Sequence, residues 1–138
     1  MKVAVRYYSK TGNTAKLARE IASAAGTKAM SVKEGLTEDV DILFLGSSVY
    51  AAGVDQEIKT FIKGLNGKVG KVINFSTAVI LKSTYSQVKK LLEEQGIPMA
   101  AEEFHCRGSF GIMHKGHPDA GDLKEAYRFT KGVLQANQ

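Results

Sequence analysis

The chain is poor in the features that would place it outside a reducing compartment. It has one cysteine, Cys106, in 138 residues, which excludes an intrachain disulfide and fits a cytoplasmic protein. No apolar run approaches the roughly 20 residues that a membrane helix needs, so stable membrane insertion is not expected. The first residues run straight into a strand pattern, without the charged-then-apolar layout of a signal peptide. There are no internal repeats, low-complexity tracts or linkers. His105, His114 and His117 have no Cys or carboxylate at metal-ligand spacing, so no metal is expected.

Acidic residues are outnumbered. There are 14 against 19 Lys and Arg, a formal net charge of +5. Such a balance suits nucleic acid, an anionic membrane surface or an acidic protein. No nucleic-acid module accompanies it. Lys59, Lys63, Lys68 and Lys71 lie close in sequence with little aromatic interleaving. They read as a solvated face around one helix and the following turn, or as a docking patch for an acidic partner.

The length favours one domain, and a chain of this size buries about 68% of its unfolded surface without help from disulfides or metals. Strand patterns alternate with helical ones. Residues 2–8 read as the first strand. Leu17, Ala18, Ile21, Ala22 and Ala25 form one face of a helix that Gly26 ends. Residues 27–33 are a weaker edge strand. Asp41 to Leu45 is a continuous apolar run, as a strand covered on both faces should be. Ile58, Phe61, Ile62 and Leu65 then repeat at helical spacing. Lys71 to Phe75 is a strand, and Tyr85, Val88, Leu91 and Leu92 mark a helix. The last strand lies within Met99 to Cys106. A final helix starts near Pro118, a residue well suited to a first turn, with Leu123, Ala126, Tyr127, Thr130, Val133 and Leu134 inward. Glu34 to Val40 leaves little room for a helix between strands two and three. Right-handed crossovers on a parallel sheet then give a doubly wound, three-layer sandwich.

The strongest chemical signal follows the first strand. Ser9-Lys10-Thr11-Gly12-Asn13-Thr14 is a hydroxyl-rich turn that opens a helix. Backbone N–H groups at a helix N-terminus lack intrahelical partners, and the helix dipole favours an anion there. Gly12 can take a positive φ and lets the backbone come close to a ligand. The stretch is a phosphate cradle by composition. It resembles the phosphate loop of the flavodoxin family, [ST]-x-T-G-x-T, and matches it in full.

That resemblance implies an α/β fold: a flavodoxin-like α/β/α sandwich around a five-stranded parallel sheet in the order 2-1-3-4-5. It also implies flavin mononucleotide (FMN) as the cofactor, with its phosphate at Ser9, Lys10, Thr11, Gly12, Asn13 and Thr14. Gly46-Ser47-Ser48-Val49-Tyr50-Ala51-Ala52-Gly53 resembles the second flavin-contacting loop, with Tyr50 offering an aromatic face. Ser76-Thr77-Ala78-Val79 resembles the third by position, and its backbone N–H groups are expected at the pyrimidine edge. Phe104 to Gly111, followed by His117-Pro118-Asp119, resembles the C-terminal pattern of small flavodoxin-like proteins from anaerobic bacteria. Arg107 falls at the edge of the presumed site. Cys106 reads as a small buried hydrophobe.

Other folds with this opening lack their chemistry here. There is no G-x-x-x-x-G-K-[ST] string for a P-loop NTPase. A receiver domain needs acidic residues where this chain has Tyr7-Tyr8-Ser9 and Gly46-Ser47. A low-molecular-weight tyrosine phosphatase needs Cys and Arg in the first loop. The expected role is therefore an FMN-binding electron carrier between redox partner proteins, some of them acidic. The alternatives are an FMN-dependent oxidoreductase for a quinone-like or tetrapyrrole substrate, and a flavin-free interaction module.

Overall fold

The computed structural model describes residues 1–10, 12–49, 54–78, 83–107 and 118–137. Its elements are β1 (Val3–Tyr7), α1 (Asn13–Ala25), β2 (Ala29–Ser31), β3 (Val40–Val49), α2 (Gln56–Lys63), β4 (Val69–Ala78), α3 (Tyr85–Glu94), β5 (Met99–Arg107) and α4 (Ala120–Ala136). The five strands form one sheet in the order β2-β1-β3-β4-β5, and every pairing is parallel. This is the expected doubly wound order.

Two apolar layers explain why β3 is hydrophobic without alternation. Ile42 and Phe44 pack toward Leu17, Ile21 and Ala22 of α1 and Ala126 and Val133 of α4. Leu43 and Leu45 pack on the other side, toward Ile58, Phe61 and Ile62 of α2 and Val88 and Leu92 of α3. Successive strand residues face opposite ways, so a strand between two helical layers must be apolar at both parities. Gly26 closes α1 in the left-handed region, φ 73°, as its position predicts.

Three expectations are corrected. Gly46 to Val49 and Ser76 to Ala78 are not loops but the last residues of β3 and β4. The apolar runs stop at Leu45 and Phe75, yet the ladder continues through Gly46↔Phe75, Ser47↔Ser76, Ser48↔Thr77 and Val49↔Ala78. Gly46 is needed there, because a Cβ would overlap the Phe75 ring. Pro118 stays outside α4. The helix starts after Asp119, whose Oδ1 accepts the Asp122 N–H at 2.9 Å while Asp122 Oδ2 accepts the Asp119 N–H at 2.9 Å, a reciprocal capping box. Tyr127 is 37% exposed and does not belong to the inner stripe of α4.

The connection from β2 to β3 has no helix. Arg6 of β1 lies beneath it and donates its Nε–H to Glu34 O at 2.8 Å and an Nη1–H to Val5 O at 3.1 Å. Among the described residues, no helix is long and apolar enough to cross a membrane.

Candidate functional site

The carboxyl ends of β1, β3 and β4 come together around the start of α1. The Tyr8 N–H bonds to Gly46 O at 3.1 Å, which fixes the exit of the first strand against the third. Ser9 Oγ then accepts the Gly12 N–H at 3.0 Å, closing the turn. Gly12 sits at φ 91°, a conformation that costs an L-residue roughly 1–2 kcal/mol. Among the described residues, a Cβ at Gly12 would meet no atom within 4 Å, so the demand there is torsional. The first backward helical bond runs from the Lys16 N–H to Gly12 O at 3.1 Å. The N–H groups ahead of it point out of the helix end. The first turn of α1 holds no acidic residue, so the turn itself sets no negative charge against the positive end of the dipole.

Two polar layers lie behind this loop, one on each side of the sheet. On the α1 side, Thr14 Oγ1 lies 2.6 Å from Ser48 Oγ and 2.9 Å from Thr77 Oγ1, and these two are 3.2 Å apart. All three residues are buried. Three hydroxyls carry three protons, and three bonds use them all. The trio therefore supports the loop from behind, and donation to an anion falls to the backbone and to the loop's other side chains, such as Ser9 and Lys10. On the α2–α3 side, Ser47 Oγ donates to Thr84 Oγ1 at 2.8 Å, Asn74 Nδ2 donates to Thr84 Oγ1 at 3.0 Å, and the Thr84 N–H donates to Ser76 Oγ at 3.3 Å. Ser47 and Ser76 thus brace the start of α3.

Lys10 Nζ is 3.1 Å from Asp55 Oδ1. Asp55 is the residue just ahead of α2, so this pair ties the first loop to the element that follows the second.

Comparison with known proteins agrees with this arrangement. The flavodoxin domain family matches residues 4–113. The chain belongs to the flavodoxin family. An uncharacterized protein of Methanocaldococcus jannaschii is 28% identical over 150 residues, covering 98% of this chain and 99% of that one. A flavodoxin from the domain Archaea superposes with a TM-score of 0.80 at 16% identity, over 99% of this chain and 98% of the other. A Lactobacillus acidophilus flavoprotein in complex with FMN has a TM-score of 0.64 at 17% identity, over 77% of this chain and 92% of the other.

In this flavodoxin-family chain, Ser9, Lys10, Gly12, Asn13 and Thr14 share one strand-to-helix turn, and Ser48 and Thr77 lie directly behind it. Thr11, Tyr50, Ala51, Ala52, Gly53 and Val79 lie outside the described residues, as do residues 108–117. Val49 and Ala78 are backbone partners at the ends of β3 and β4. Sequence reasoning missed Asp55, Asn74 and Thr84. Asn74 carries the plainest signal, since a polar residue inside the run Val72-Ile73-Asn74-Phe75 must find a partner once buried. Asp55 and Thr84 each stand just before an apolar helical repeat, the usual place for a cap.

The remaining candidates take other roles. Cys106 is partly buried, and burial, reinforced by Asp122 and Asp119, pushes its thiol up to about 12. A thiol held neutral in this way is a poor nucleophile. The lysine cluster is divided: Lys59 and Lys63 are exposed on α2, while Lys68 Nζ reaches Leu36 O at 3.5 Å and Lys71 Nζ reaches Asn137 Oδ1 at 2.7 Å. Among the described residues, no group of His, Cys, Asp and Glu could hold a metal ion.

Proposed function

We propose that the protein is a cytoplasmic electron carrier that works with a non-covalently bound FMN. The observation that carries this reading is the start of α1. A glycine at φ 91° and an acid-free first turn suit a phosphate dianion. FMN is the cofactor of the family, and when bound it supplies the redox chemistry. The chain's own residues bind and orient. Backbone N–H groups of the first turn of α1 would take the phosphate, each contributing about 1.5–3 kcal/mol as a hydrogen bond to a charged group. Lys10, half-exposed beside Asp55, adds a cation at the rim. The buried trio Thr14, Ser48 and Thr77 holds the turn rigid, so little ordering remains to be done on binding.

Electron donors and acceptors of acidic character fit the net charge of +5 and the exposed Lys59 and Lys63. Opposite charge raises the encounter rate of such partners.

The test is the visible absorption spectrum of the purified protein after incubation with FMN and removal of free ligand. A stoichiometric flavin spectrum, followed by reduction in two one-electron stages, is expected. Retained flavin with fast turnover of a quinone or tetrapyrrole would replace the carrier with an oxidoreductase. A folded chain that retains no flavin would overturn the cofactor assignment and leave an interaction module.

A further inference from the structure

A polar cavity opens beside the amino ends of β1, β2 and β3. Ala4 packs in the layer facing α2 and α3, and Val5 packs in the other, so Arg6 returns to the α2–α3 side of β1. In that layer the β2-to-β3 connection crosses without a helix. Arg6 is 8% exposed. Its two hydrogen bonds, to Glu34 O and Val5 O, go to carbonyls. A guanidinium has five N–H groups, so three are left without an acceptor among the described residues. No carboxylate pairs with it among those residues, and Glu34 is the acid whose charge acts on it. A largely buried cation that no carboxylate bonds directly is costly to maintain, and its outer N–H groups are open to a ligand from solvent. Burial accordingly pulls the Arg6 guanidinium below its ordinary value.

Arg6 borders a cavity of about 230 Å³, together with Lys2, Lys28, Thr27, Thr37 and Glu38. The charged lining comprises three cations and one carboxylate; Asp39 and Asp41 act on Lys2 and Glu34 on Arg6, which leaves Lys28 and the open side of Arg6 as the cations that face the cavity. Glu38 is already engaged by Lys2 Nζ at 2.9 Å. Thr27, Thr37 and Lys2 precede β2, β3 and β1, whereas the phosphate loop follows β1. Apart from Arg6, which is the next-to-last residue of β1, the polar lining thus lies at the amino ends of the strands, away from the phosphate loop.

We propose that this cavity binds a small phosphate-type oxyanion, with Arg6 as its inner donor and Lys28 and the two threonines at its rim. The planar fork of a guanidinium suits paired bonds to such an oxyanion. The bound charge would supply the partner that Arg6 lacks and would pin the helix-free connection to the sheet.

The site is independent of the flavin reading, and the experiment keeps the two apart. Protein saturated with FMN is titrated with inorganic phosphate, and separately with sodium chloride at matched ionic strength, while NMR follows backbone amides and the Arg6 Nε–H. The expected result is saturable movement of Thr27, Lys28, Thr37 and the Arg6 side chain in phosphate only. Arg6→Gln should weaken it at least about tenfold, the loss of roughly one charge-assisted bond. Lys28→Ala leaves Arg6 in place, is safe for folding, and should weaken it about threefold. Movement confined to Gly12 and Asn13 would put phosphate in the first loop and overturn the second site. Equal movement in chloride, or an unchanged response in Lys28→Ala, would overturn it as well. If the chain holds no flavin, the same residues are read in the same way.

Discussion

Thr14 Oγ1 and Ser48 Oγ are 2.6 Å apart, with Thr77 Oγ1 closing the ring. The contact joins the first turn of α1 to β3 and β4 beneath the phosphate loop. Each hydroxyl in a closed ring both donates and accepts. Thr14→Val keeps the shape but leaves Ser48 and Thr77 with one proton unplaced in a buried site. A loss of about 1–3 kcal/mol is expected in urea unfolding, together with weaker FMN binding because the turn loses its anchor. Ser48→Ala should cost less in the Thr14→Val background than alone, since residues in one network do not add. Strict additivity of the two changes would show that the ring does not act as a unit.

Gly12 and Gly46 are both needed, for different reasons, and alanine separates them. At Gly12 the φ of 91° is unfavourable for alanine but no described residue obstructs a Cβ. A cost near 1–2 kcal/mol in stability is expected. The larger effect should fall on FMN affinity, because relaxing the torsion re-aims the N–H groups. At Gly46 the Cβ would overlap the Phe75 ring, which is fully buried. Overpacking of this kind costs about 1–3 kcal/mol or more. Thermal melts should therefore rank Gly46→Ala below Gly12→Ala, while flavin titration should rank them the other way.

The sheet order, the missing helix between β2 and β3 and the phosphate turn were legible because each rests on a local pattern. Apolar runs such as Ile42 to Leu45 report two covered faces, and a hydroxyl-rich turn before Leu17 and Ile21 reports a helix start. The ends of β3 and β4 were not legible. Ser47, Ser48, Ser76 and Thr77 look like loop residues, and only their cross-strand and interlayer partners make them strand. Thr14 read as a phosphate donor for a similar reason. Its hydroxyl is turned inward by residues 34 and 63 positions away, a separation that no local pattern encodes. Arg6 sits in an apolar strand, and nothing adjacent in sequence announces the Glu34 carbonyl that receives it.

The Lys10–Asp55 pair, 3.1 Å apart, joins a half-exposed lysine to a mostly buried aspartate. Its direct contribution to stability should be small, about 0.2–1 kcal/mol. Its effect on the cofactor should be larger, because Lys10 would face both Asp55 and the phosphate. Lys10→Met is expected to weaken FMN binding severalfold at low salt, and the difference should shrink as salt screens the charge. Asp55→Asn should strengthen binding or leave it unchanged, since it removes a carboxylate that competes with the phosphate for Lys10. Weaker binding in both variants would mean that the pair serves the shape of the loop and not its charge.

Cys106 links chemistry to pH. Its folded value of about 12 lies above the ordinary 9.0, so the folded state prefers the neutral thiol. Its contribution to stability is therefore complete below about pH 9 and is lost as pH rises toward 12. Since the thiolate is the reactive form, iodoacetamide labelling of the native protein at pH 8 should run at least about a hundredfold slower than that of a cysteine peptide. A rate within about tenfold of the peptide would place the sulfur in water, away from the packed edge of β5 and α4.

The net charge should appear in the redox potential. Adding the second electron to a bound flavin adds negative charge, and a protein of net negative charge opposes it. At +5 this chain should oppose it less. One unit charge about 10 Å away in a water-like medium is worth roughly 0.4 kcal/mol, or about 15–20 mV for a one-electron couple. Several such lysines would make the second potential less negative than in an acidic flavodoxin. Absolute potentials also depend on contacts to the ring, so the decisive quantity is the sign of the salt dependence. Ions screen the favourable cations over about 10 Å at 0.1 M. The second potential should therefore become more negative as salt is added, the reverse of an acidic protein. Lys59→Glu with Lys63→Glu should lower the potential at low salt and flatten that slope. A potential that rises with salt in the unmodified protein would show that local acids, and not the overall charge, govern the flavin.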